Sequence, residues 1–416
     1  MRLGIFLALC LLGQPAVASN IHHTKSNLNY EFLCSDVLAW SKGTSSGPVP
    51  NNVRGKMGDR LFELVNKSKR SIDISMYGVS KQDWLLSALR KSMRNGNSVR
   101  VVVDQSDGVK GEWLPENFVY SDTYKLSRYL GTKIVVPDTD RNGKIKSSFM
   151  HNKFAVFDGR TVWTGSANFS HTGIGGEYNA NATLILHSAA VARVFSAEFD
   201  QMYTRNRFST DKSPATASHV VNFGDGSKVT AAFSPKAKVI DNHLVPFIKG
   251  AKKSIAIAMF FLTDDRIVTE LVAAKKRGVK VRAVLDALAV RNIASKHIIL
   301  REQGIEVRVE RFGGKMHMKA ATRDGKDLLI GSMNWSWAGS RRNDENTLII
   351  EKNNGPAKEF LGCFESIWKS LPPGIDPATM DPAAEGPDSS NSCSDNVDND
   401  FDGMKDSQDP GCYRFR

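Results

Sequence analysis

The sequence predicts an α/β protein built from two duplicated halves, each a mixed sheet flanked by helices. A unit of helix, strand, loop, helix and strand starts at Leu61 and again at Leu244. A third apolar strand follows in each copy, and the same spaced set of polar residues comes after it. Strands that are joined through helices pair in parallel and are covered by those helices.

The strands and helices of the two copies correspond one by one. The first strands are SIDISMYGV and SIAIAMFFL, the second are VRVVVD and VRAVLD, and the third are TKIVVP and IEVRVE. The helix between the first two strands carries apolar residues at three-and-four spacing, as at Leu85, Leu86, Leu89 and Met93. Each copy is therefore predicted to form a layer of strands under amphipathic helices.

A polar motif closes each copy. Residues 151–168 are HNKFAVFDGRTVWTGSAN, and residues 317–334 are HMKAATRDGKDLLIGSMN. Both fit H-x-K-x4-D-x6-G-S-x-N. Six matched positions with identical gaps, at the same place in two duplicated units, indicate a function rather than chance.

Each motif predicts a β-hairpin whose two-residue loop is the Asp-Gly pair. In that register Ser166 lies opposite His151, and Ser332 lies opposite His317. The histidine and lysine of a motif stand two apart on a strand and share a face. The histidine, lysine, serine and asparagine would thus gather at the open end of each hairpin.

The motif aspartates are predicted to lie elsewhere. Asp158 and Asp324 sit at the turns, about seven residues from the histidines, which is more than ~20 Å along a strand. We expect them to shape the turns or to form structural ion pairs, without touching a substrate.

Two such clusters suit phosphodiester cleavage. Lysine and asparagine donate to phosphate oxygens and stabilise charge that builds in the transition state. One imidazole attacks phosphorus, and a second, protonated imidazole gives a proton to the leaving oxygen. Water then attacks the phosphohistidine. The motifs contain no cluster of carboxylates, so no cofactor is expected for catalysis.

The doubled HxKx4Dx6GSxN motif in duplicated α/β halves resembles the phospholipase D superfamily over about 54–370. The resemblance implies that the halves meet along a pseudo-twofold axis with the motif histidines facing each other. It implies His151 as the nucleophile and His317 as the general acid. The implied phosphate-site residues are Lys153, Lys319, Asn168, Asn334, Ser166 and Ser332.

Members of that family often carry an acid downstream of Gly-Ser-x-Asn that orients a histidine. Aligning NANATLIL with RNDENTLII places Glu345 at this position in the second half. The first half has Asn181 there. Nearby Glu177 is therefore expected as a substitute.

The amino terminus predicts export. MRLGIFLALCLLGQPAVA combines Arg2, an apolar run and a small-residue cleavage site before Ser19, as in a signal peptide. We expect a secreted or periplasmic monomer with no transmembrane segment in its mature form. The predicted divisions are a signal peptide (1–18), an amino-terminal segment (19–53), the two halves (54–210 and 211–371), a linker (372–392) and a tail (393–416).

Four cysteines remain once the signal peptide is removed, and an even number in an exported chain suggests disulfides. Four cysteines allow three pairings. We favour Cys34 with Cys363, which ties the amino-terminal segment to the last long helix. Cys393 with Cys412 would close a short acidic loop.

The tail fits a calcium loop. Its acids occupy loop positions 1, 3, 5, 9 and 12, with Gly403 at position 6. The last acid is an aspartate, which suits a modest extracellular affinity. The predicted ligands are Asp398, Asp400, Asp402, Asp406 and Asp409.

Charge favours a polyanionic partner. The whole chain carries a formal charge of +12, with +18 on residues 19–372 and −7 on residues 373–416. A basic body suits nucleic acid or an anionic lipid surface. Two enzymes therefore stay open: a phospholipase D that cleaves headgroup esters, favoured by export and by two motifs in one chain, and a secreted nuclease, favoured by the basic body.

Overall fold

The computed structural model describes residues 20–38, 51–104, 126–127, 129–131, 133–138, 148–310 and 314–373. The predicted signal peptide lies outside these residues. So do the predicted tail with its calcium loop, the Cys393–Cys412 pairing and nearly all of the predicted linker. Those expectations stay predictions.

The first half is built around a mixed sheet with the strand order β2-β10-β8-β7-β3-β5-β6. Central β3 pairs in parallel with β5 and antiparallel with β7. The strands of this half, with the short pair β4 and β9, are β2 (Tyr30–Cys34), β3 (Ser71–Met76), β4 (Val79–Ser80), β5 (Ser98–Val103), β6 (Val135–Pro137), β7 (Lys153–Phe157), β8 (Thr161–Gly165), β9 (Phe169–Ser170) and β10 (Ala182–His187).

The second half repeats this order in a longer sheet, β1-β11-β12-β18-β17-β16-β13-β14-β15. The last six strands correspond to β10-β8-β7-β3-β5-β6 of the first half. The strands are β1 (Asn20–His23), β11 (Ser218–Asn222), β12 (Lys228–Ser234), β13 (Ser254–Met259), β14 (Lys280–Leu285), β15 (Glu306–Val309), β16 (Lys319–Arg323), β17 (Asp327–Gly331) and β18 (Glu345–Glu351).

Helices cover the sheets, as the apolar spacing predicts. In the helix after β4, Leu85, Leu86 and Leu89 are buried against the first sheet. The helices in chain order are α1 (Lys56–Lys67), α2 (Asp83–Arg94), α3 (Ala189–Tyr203), α4 (Val245–Lys249), α5 (Asp265–Lys276), α6 (Ala287–Val290), α7 (His297–Glu302), α8 (Trp337–Arg341) and α9 (Gly355–Ser370). The predicted class, two mixed sheets flanked by helices, is confirmed.

One core joins the two halves. It contains Phe154 and Phe195 from the first half together with Phe233 and Phe360 from the second. The Phe195 ring packs edge-on against both Phe154 and Phe233. Burial of this shared apolar surface holds the sheets face to face.

The predicted disulfide between Cys34 and Cys363 is present. It joins β2 of the first sheet to α9, which packs on β16 and β17 of the second. The amino-terminal segment thus ties both halves together, because β1 also pairs in parallel with β11. Among the described residues, no helix is both long enough and apolar enough to cross a membrane.

The predicted hairpin register is wrong by one residue. The ladder pairs Phe157 with Thr161, and Arg323 with Asp327, so each loop has three residues. The turns still close as expected, since Arg160 N donates to the Phe157 carbonyl at 3.0 Å. Left-handed Asp158 and Gly159, with φ of 54° and 63°, make the turn, and the extra residue after them is a bulge.

Candidate active site at the junction of the halves

The strand pairing brings the start of each motif to the carboxyl end of a central strand. Lys153 opposes Met76 at the end of β3, and Lys319 opposes Met259 at the end of β13. Each histidine precedes its lysine by two residues. Both motifs therefore open at corresponding edges of the two sheets.

Reciprocal backbone contacts place these edges against each other. Met150 bridges to Asp344, and Met316 bridges to Ala180. The neighbouring amides repeat the exchange, because His151 N donates to the Asp344 carbonyl at 2.9 Å and His317 N donates to the Ala180 carbonyl at 3.0 Å. Equivalent residues of the two copies thus make the same contact in both directions, which is the pattern that a twofold axis between the halves produces.

Each histidine is held by a residue of the opposite half. The Nδ1 of His151 lies 2.9 and 2.8 Å from the two carboxylate oxygens of Glu345. The Nδ1 of His317 lies 3.0 Å from Oδ1 of Asn181. Glu345 and Asn181 are both fully buried. The positions found by aligning the two copies therefore serve as orienting partners, but across the junction.

The motif serines support these partners instead of a phosphate. Ser332 Oγ donates to Glu345 at 2.6 Å, and Ser166 Oγ donates to Asn181 Oδ1 at 2.9 Å. The Ser332 hydroxyl also accepts a hydrogen bond from the Asn346 backbone N–H, and the Ser166 hydroxyl accepts one from the Ala182 backbone N–H. Both serines are fully buried. Their predicted place at the phosphate is wrong, because the cross-half pairing uses their hydrogen bonds.

Glu177 does not orient a histidine. Its carboxylate accepts the backbone N–H of Asp36 at 2.5 Å and that of Lys56 at 3.2 Å. It therefore joins the amino-terminal segment to α1. The suggested substitution of Glu177 for a missing acid is wrong, since Asn181 itself takes that position.

The motif lysines lie beside the histidines. Lys153 Nζ donates to the His151 carbonyl at 3.0 Å, and Lys319 Nζ donates to the His317 carbonyl at 2.8 Å. Each ammonium group also faces an aromatic ring just past the central strand. The ring centroid of Tyr77 is 5.1 Å from Lys153 Nζ, and that of Phe260 is 5.0 Å from Lys319 Nζ.

The same two rings contact the histidines. The Tyr77 ring centroid lies 4.8 Å from that of His151, and the Phe260 centroid lies 5.4 Å from that of His317. Sequence reasoning missed Tyr77 and Phe260, although both stand directly after the duplicated first strand. An aromatic residue repeated at one position in both copies was the available signal.

The motif asparagines are half-buried. Asn334 Oδ1 accepts the Phe261 N–H at 3.4 Å. Asn168 Oδ1 is buried with no partner among the described residues. Both residues lie just after the second hairpin strand of their motif, which ends at Gly165 in the first half and at Gly331 in the second.

Two further buried acids fix the residues before the histidines. Asp104 accepts the Met150 N–H at 2.6 Å, and the Met316 N–H bonds to Asp286. Both carboxylates are fully buried, at the ends of β5 and β14. Sequence reasoning missed them as site residues, although they end the duplicated segments VRVVVD and VRAVLD.

The motif aspartates lie at the far ends of the hairpins. Asp158 accepts the backbone N–H groups of Lys69, Arg70 and Ser71. Asp324 accepts the corresponding groups of residues 252–254. Burial opposes their ionisation, but the amide donors outweigh it and lower the pKa of both carboxyls. Their positions agree with the expected structural role.

Burial controls the electrostatics of the junction. It lowers the pKa of His151 and of His317 well below the usual value, and the neighbouring Lys153 and Lys319 add to this effect. It lowers the pKa of Lys153 to about 7, lowers that of Lys319 well below its usual value, and raises the pKa of Glu345 to about 8. The two histidines and two lysines thus lie together, with the buried acids Glu345, Asp104 and Asp286 near the lysines. An anion bound among the basic groups would stabilise their charged forms.

The comparisons with known proteins agree with this geometry. The family model described as "Cardiolipin synthase, PLD-like domain" matches residues 61–203 and 244–368, one stretch in each half. The chain therefore belongs to the phospholipase D-like family.

Several curated proteins are similar to part of the chain. The mitochondrial cardiolipin hydrolase of Mus musculus is 32% identical over 132 residues, which are 32% of this chain and 59% of the relative. The phospholipase D of Rickettsia felis is 37% identical over 128 residues, 30% of this chain and 62% of the relative. The chain thus spans about three-fifths of the length of these relatives.

A solved structure supports the fold over most of the chain. The phosphatidylserine synthase of Haemophilus influenzae Rd KW20 superposes with a TM-score of 0.58 and 15% identity. The match covers 84% of this chain and 88% of that protein. It therefore includes the arrangement of both halves.

Proposed function

We propose that the protein is a secreted phospholipase D that hydrolyses headgroup phosphodiesters of phospholipids through a phosphohistidine at His151. One observation carries the assignment of the nucleophile. A buried acid, Glu345, stands behind His151, whereas Asn181, an amide that does not ionise, stands behind His317. The positive charge that His151 gains favours the ionised form of Glu345 and opposes the effect of burial on its pKa. A carboxylate stabilises the positive charge that an imidazole gains when it bonds to phosphorus.

The first step follows from the tautomers that these partners select. Nδ1–H of His151 donates to Glu345, which leaves the Nε2 lone pair free to attack phosphorus. His317 enters this step protonated, with Nδ1–H donating to Asn181, and its Nε2–H gives a proton to the departing headgroup oxygen. The bond from phosphorus to this oxygen breaks as the bond to Nε2 of His151 forms.

The second step reverses these roles. His317 is now neutral and takes a proton from water, whose oxygen attacks phosphorus. The bond to His151 breaks, phosphatidate leaves, and His317 is again protonated. Lys153 and Lys319 stay beside the phosphate in both steps and stabilise the charge on its non-bridging oxygens, with Asn168 and Asn334 as further donors.

The substrate proposal has its own support. The similar proteins from mouse and Rickettsia are named cardiolipin hydrolase and phospholipase D. The signal sequence at residues 1–18 favours action outside the cytoplasm, where phospholipid surfaces are accessible. Cell fractionation followed by mass spectrometry tests export: a chain that begins at Ser19 outside the cytoplasm supports it, and a chain found in the cytoplasm with residues 1–18 retained contradicts it.

Nucleic acid is the second candidate, and the charge of the chain is the observation that favours it. A net charge of +12 would attract any polyanion. The experiment offers purified protein phosphatidylcholine vesicles and plasmid DNA in separate assays, with His151→Ala as the control. Choline release without nicking supports the phospholipase. Nicking without choline release overturns it, and full activity in His151→Ala refutes the mechanism.

A further inference from the structure

A patch of exposed aliphatic and aromatic side chains lies on the second half, in the segment after β14 and at the start of α8. We call it the apolar rim. Its exposure is high, with Ile293 fully exposed at 103% of its reference area. The members are Leu288 (48% exposed), Ile293, Ile298 (45%), Ile299 (44%) and Trp337 (60%).

Hydrogen bonds connect the two parts of the rim. Lys296 N donates to the Leu262 carbonyl at 3.2 Å, and Leu262 in turn bridges to Trp335. Lys296 stands between Ile293 and Ile298, and Trp335 stands two residues before Trp337. Both parts of the rim are thus anchored on the segment that follows β13.

That segment also leads into the active site. Phe260 packs against His317, and Phe261 N–H bonds to Asn334. The next strand, β14, ends at Leu285 and is followed by Asp286, which holds the residue before His317. The rim therefore lies at the same edge of the sheet as the motif histidine.

The charges around the rim are mainly positive. Residues 287–301 contain Arg291, Lys296 and Arg301 and no acid. Lys315 is exposed beside His317. Two exposed acids lie among them, since Asp265 forms an ion pair with Lys296 at 2.7 Å and Glu302 ends α7 next to Arg301. Apolar side chains flanked by cations are typical of surfaces that enter the headgroup region of an anionic bilayer.

We propose that the apolar rim docks on an anionic phospholipid surface and presents headgroup esters to His151 and His317. This inference rests on the proposed function and extends it to how the substrate is reached. Four of the five rim residues are aliphatic or present an alkyl surface, so they have no ring to stack on a base and no donor for a phosphate. Membrane lipid fits their chemistry better than nucleic acid.

The test separates docking from chemistry. The double variant Ile293→Ser with Ile298→Ser removes two rim side chains that are exposed, so folding should be unaffected, and the melting temperature verifies this. Ile21→Ser is the matched control, because Ile21 is 62% exposed on β1 at the opposite edge of the second sheet. The probes are vesicles of phosphatidylcholine with phosphatidylglycerol, and bis(p-nitrophenyl) phosphate as a phosphodiester without acyl chains.

The double variant should bind the vesicles at least about tenfold more weakly than wild type and hydrolyse them at least about tenfold more slowly. Its rate of cleavage of the soluble ester should be unchanged. Ile21→Ser should match wild type on both probes. Equal vesicle binding and hydrolysis by wild type and double variant overturns the rim. Loss of soluble-ester cleavage in the double variant also overturns it. A change in the molecular mass of the double variant by light scattering, with vesicle activity retained, overturns it too, because the rim would then be a contact between copies of the protein.

Failure of the proposed function gives a different result. Wild-type protein that cleaves neither probe refutes the phosphodiesterase site as described. Wild-type protein that cleaves the soluble ester and DNA but neither binds nor hydrolyses vesicles keeps the site chemistry and overturns both the lipid substrate and the rim.

Discussion

The two halves share their strand order and their motif, yet they differ in the group that stands behind the other half's histidine. The second half supplies a carboxylate, Glu345, to His151. The first half supplies an amide, Asn181, to His317. Glu345 and Asn181 each also accept a hydrogen bond from a motif serine hydroxyl. The hydrogen-bond arrangement behind the two histidines is therefore the same, and only the ability of the partner to carry charge differs.

This difference shows how a duplicated site can divide one reaction between equivalent residues. A carboxylate favours a cationic imidazole, as forms when His151 is phosphorylated. An amide holds His317 in place without trapping its proton, which suits a group that must give a proton and take it back.

The largest effect is expected from the histidines themselves. His151→Asn and His317→Asn should each lower kcat/KM about 10⁴-fold, because each removes a group that acts in the transition state. His23→Asn, at an exposed histidine of β1, is the control and should be unchanged. Either motif variant retaining a tenth of wild-type activity would contradict the two-histidine site.

Glu345→Gln should lower kcat/KM about 100-fold, since it keeps the shape of the orienting partner and removes its charge. This variant makes the second half resemble the first. Glu351→Gln, at the other end of β18, is the matched control and should retain activity. A loss below threefold for Glu345→Gln would mean that the charge difference between the halves has no catalytic effect.

Asn181→Ala should have a smaller effect, about tenfold in kcat/KM. It removes only a neutral acceptor that orients the ring of His317, and it removes no charge that stabilises the cationic form of His317. Steady-state kinetics beside Glu345→Gln measure the contrast. Equal losses in the two variants would make the halves functionally alike.

The smallest effect is expected at the turns, where the halves are alike. Asp158→Asn and Asp324→Asn should each destabilise the fold by about 1–2 kcal/mol and leave kcat/KM unchanged, because each carboxylate holds three backbone amides. The folded state lowers the pKa of both groups. Their stabilisation is therefore present above about pH 4 and is lost as the pH falls through the lowered folded-state pKa.

Urea unfolding of wild type and variants at neutral and at acidic pH measures this difference. The gap in unfolding free energy should be similar for the two positions and should shrink as the solution becomes acidic. A gap that is unchanged at low pH would exclude ionised carboxylates at the turns. A large loss of activity in either variant would place that aspartate in the catalytic site after all.

The sequence predicts the parts of this protein that repeat. The strands, the helices and the spaced motif occur twice, so each copy supports the interpretation of the other. The turn role of Asp158 follows from its distance along the hairpin. The Cys34–Cys363 disulfide is one of the three pairings that four cysteines allow, so the sequence favours it without fixing it.

The sequence does not predict what depends on contacts between the halves. The crossing of Glu345 to His151 and of Asn181 to His317 requires the relative position of two sheets, which spacing within one motif does not contain. The serine error has the same origin, because Ser166 serves the other half's histidine. The hairpin register differs because a bulged residue after the Asp-Gly pair has no distinct sequence signal.

In the proposed reaction His151 carries the phosphoryl group and His317 only moves protons. Rapid mixing with bis(p-nitrophenyl) phosphate, followed by peptide mapping at alkaline pH, where phosphohistidine is stable, locates the p-nitrophenylphosphoryl group that the first step leaves on the enzyme. An activated leaving group needs no proton, so His317→Asn should release one p-nitrophenol per enzyme in a burst and retain the phosphoryl group on His151. His151→Asn should give no burst. A burst in His151→Asn with the phosphoryl group on His317 would contradict the account.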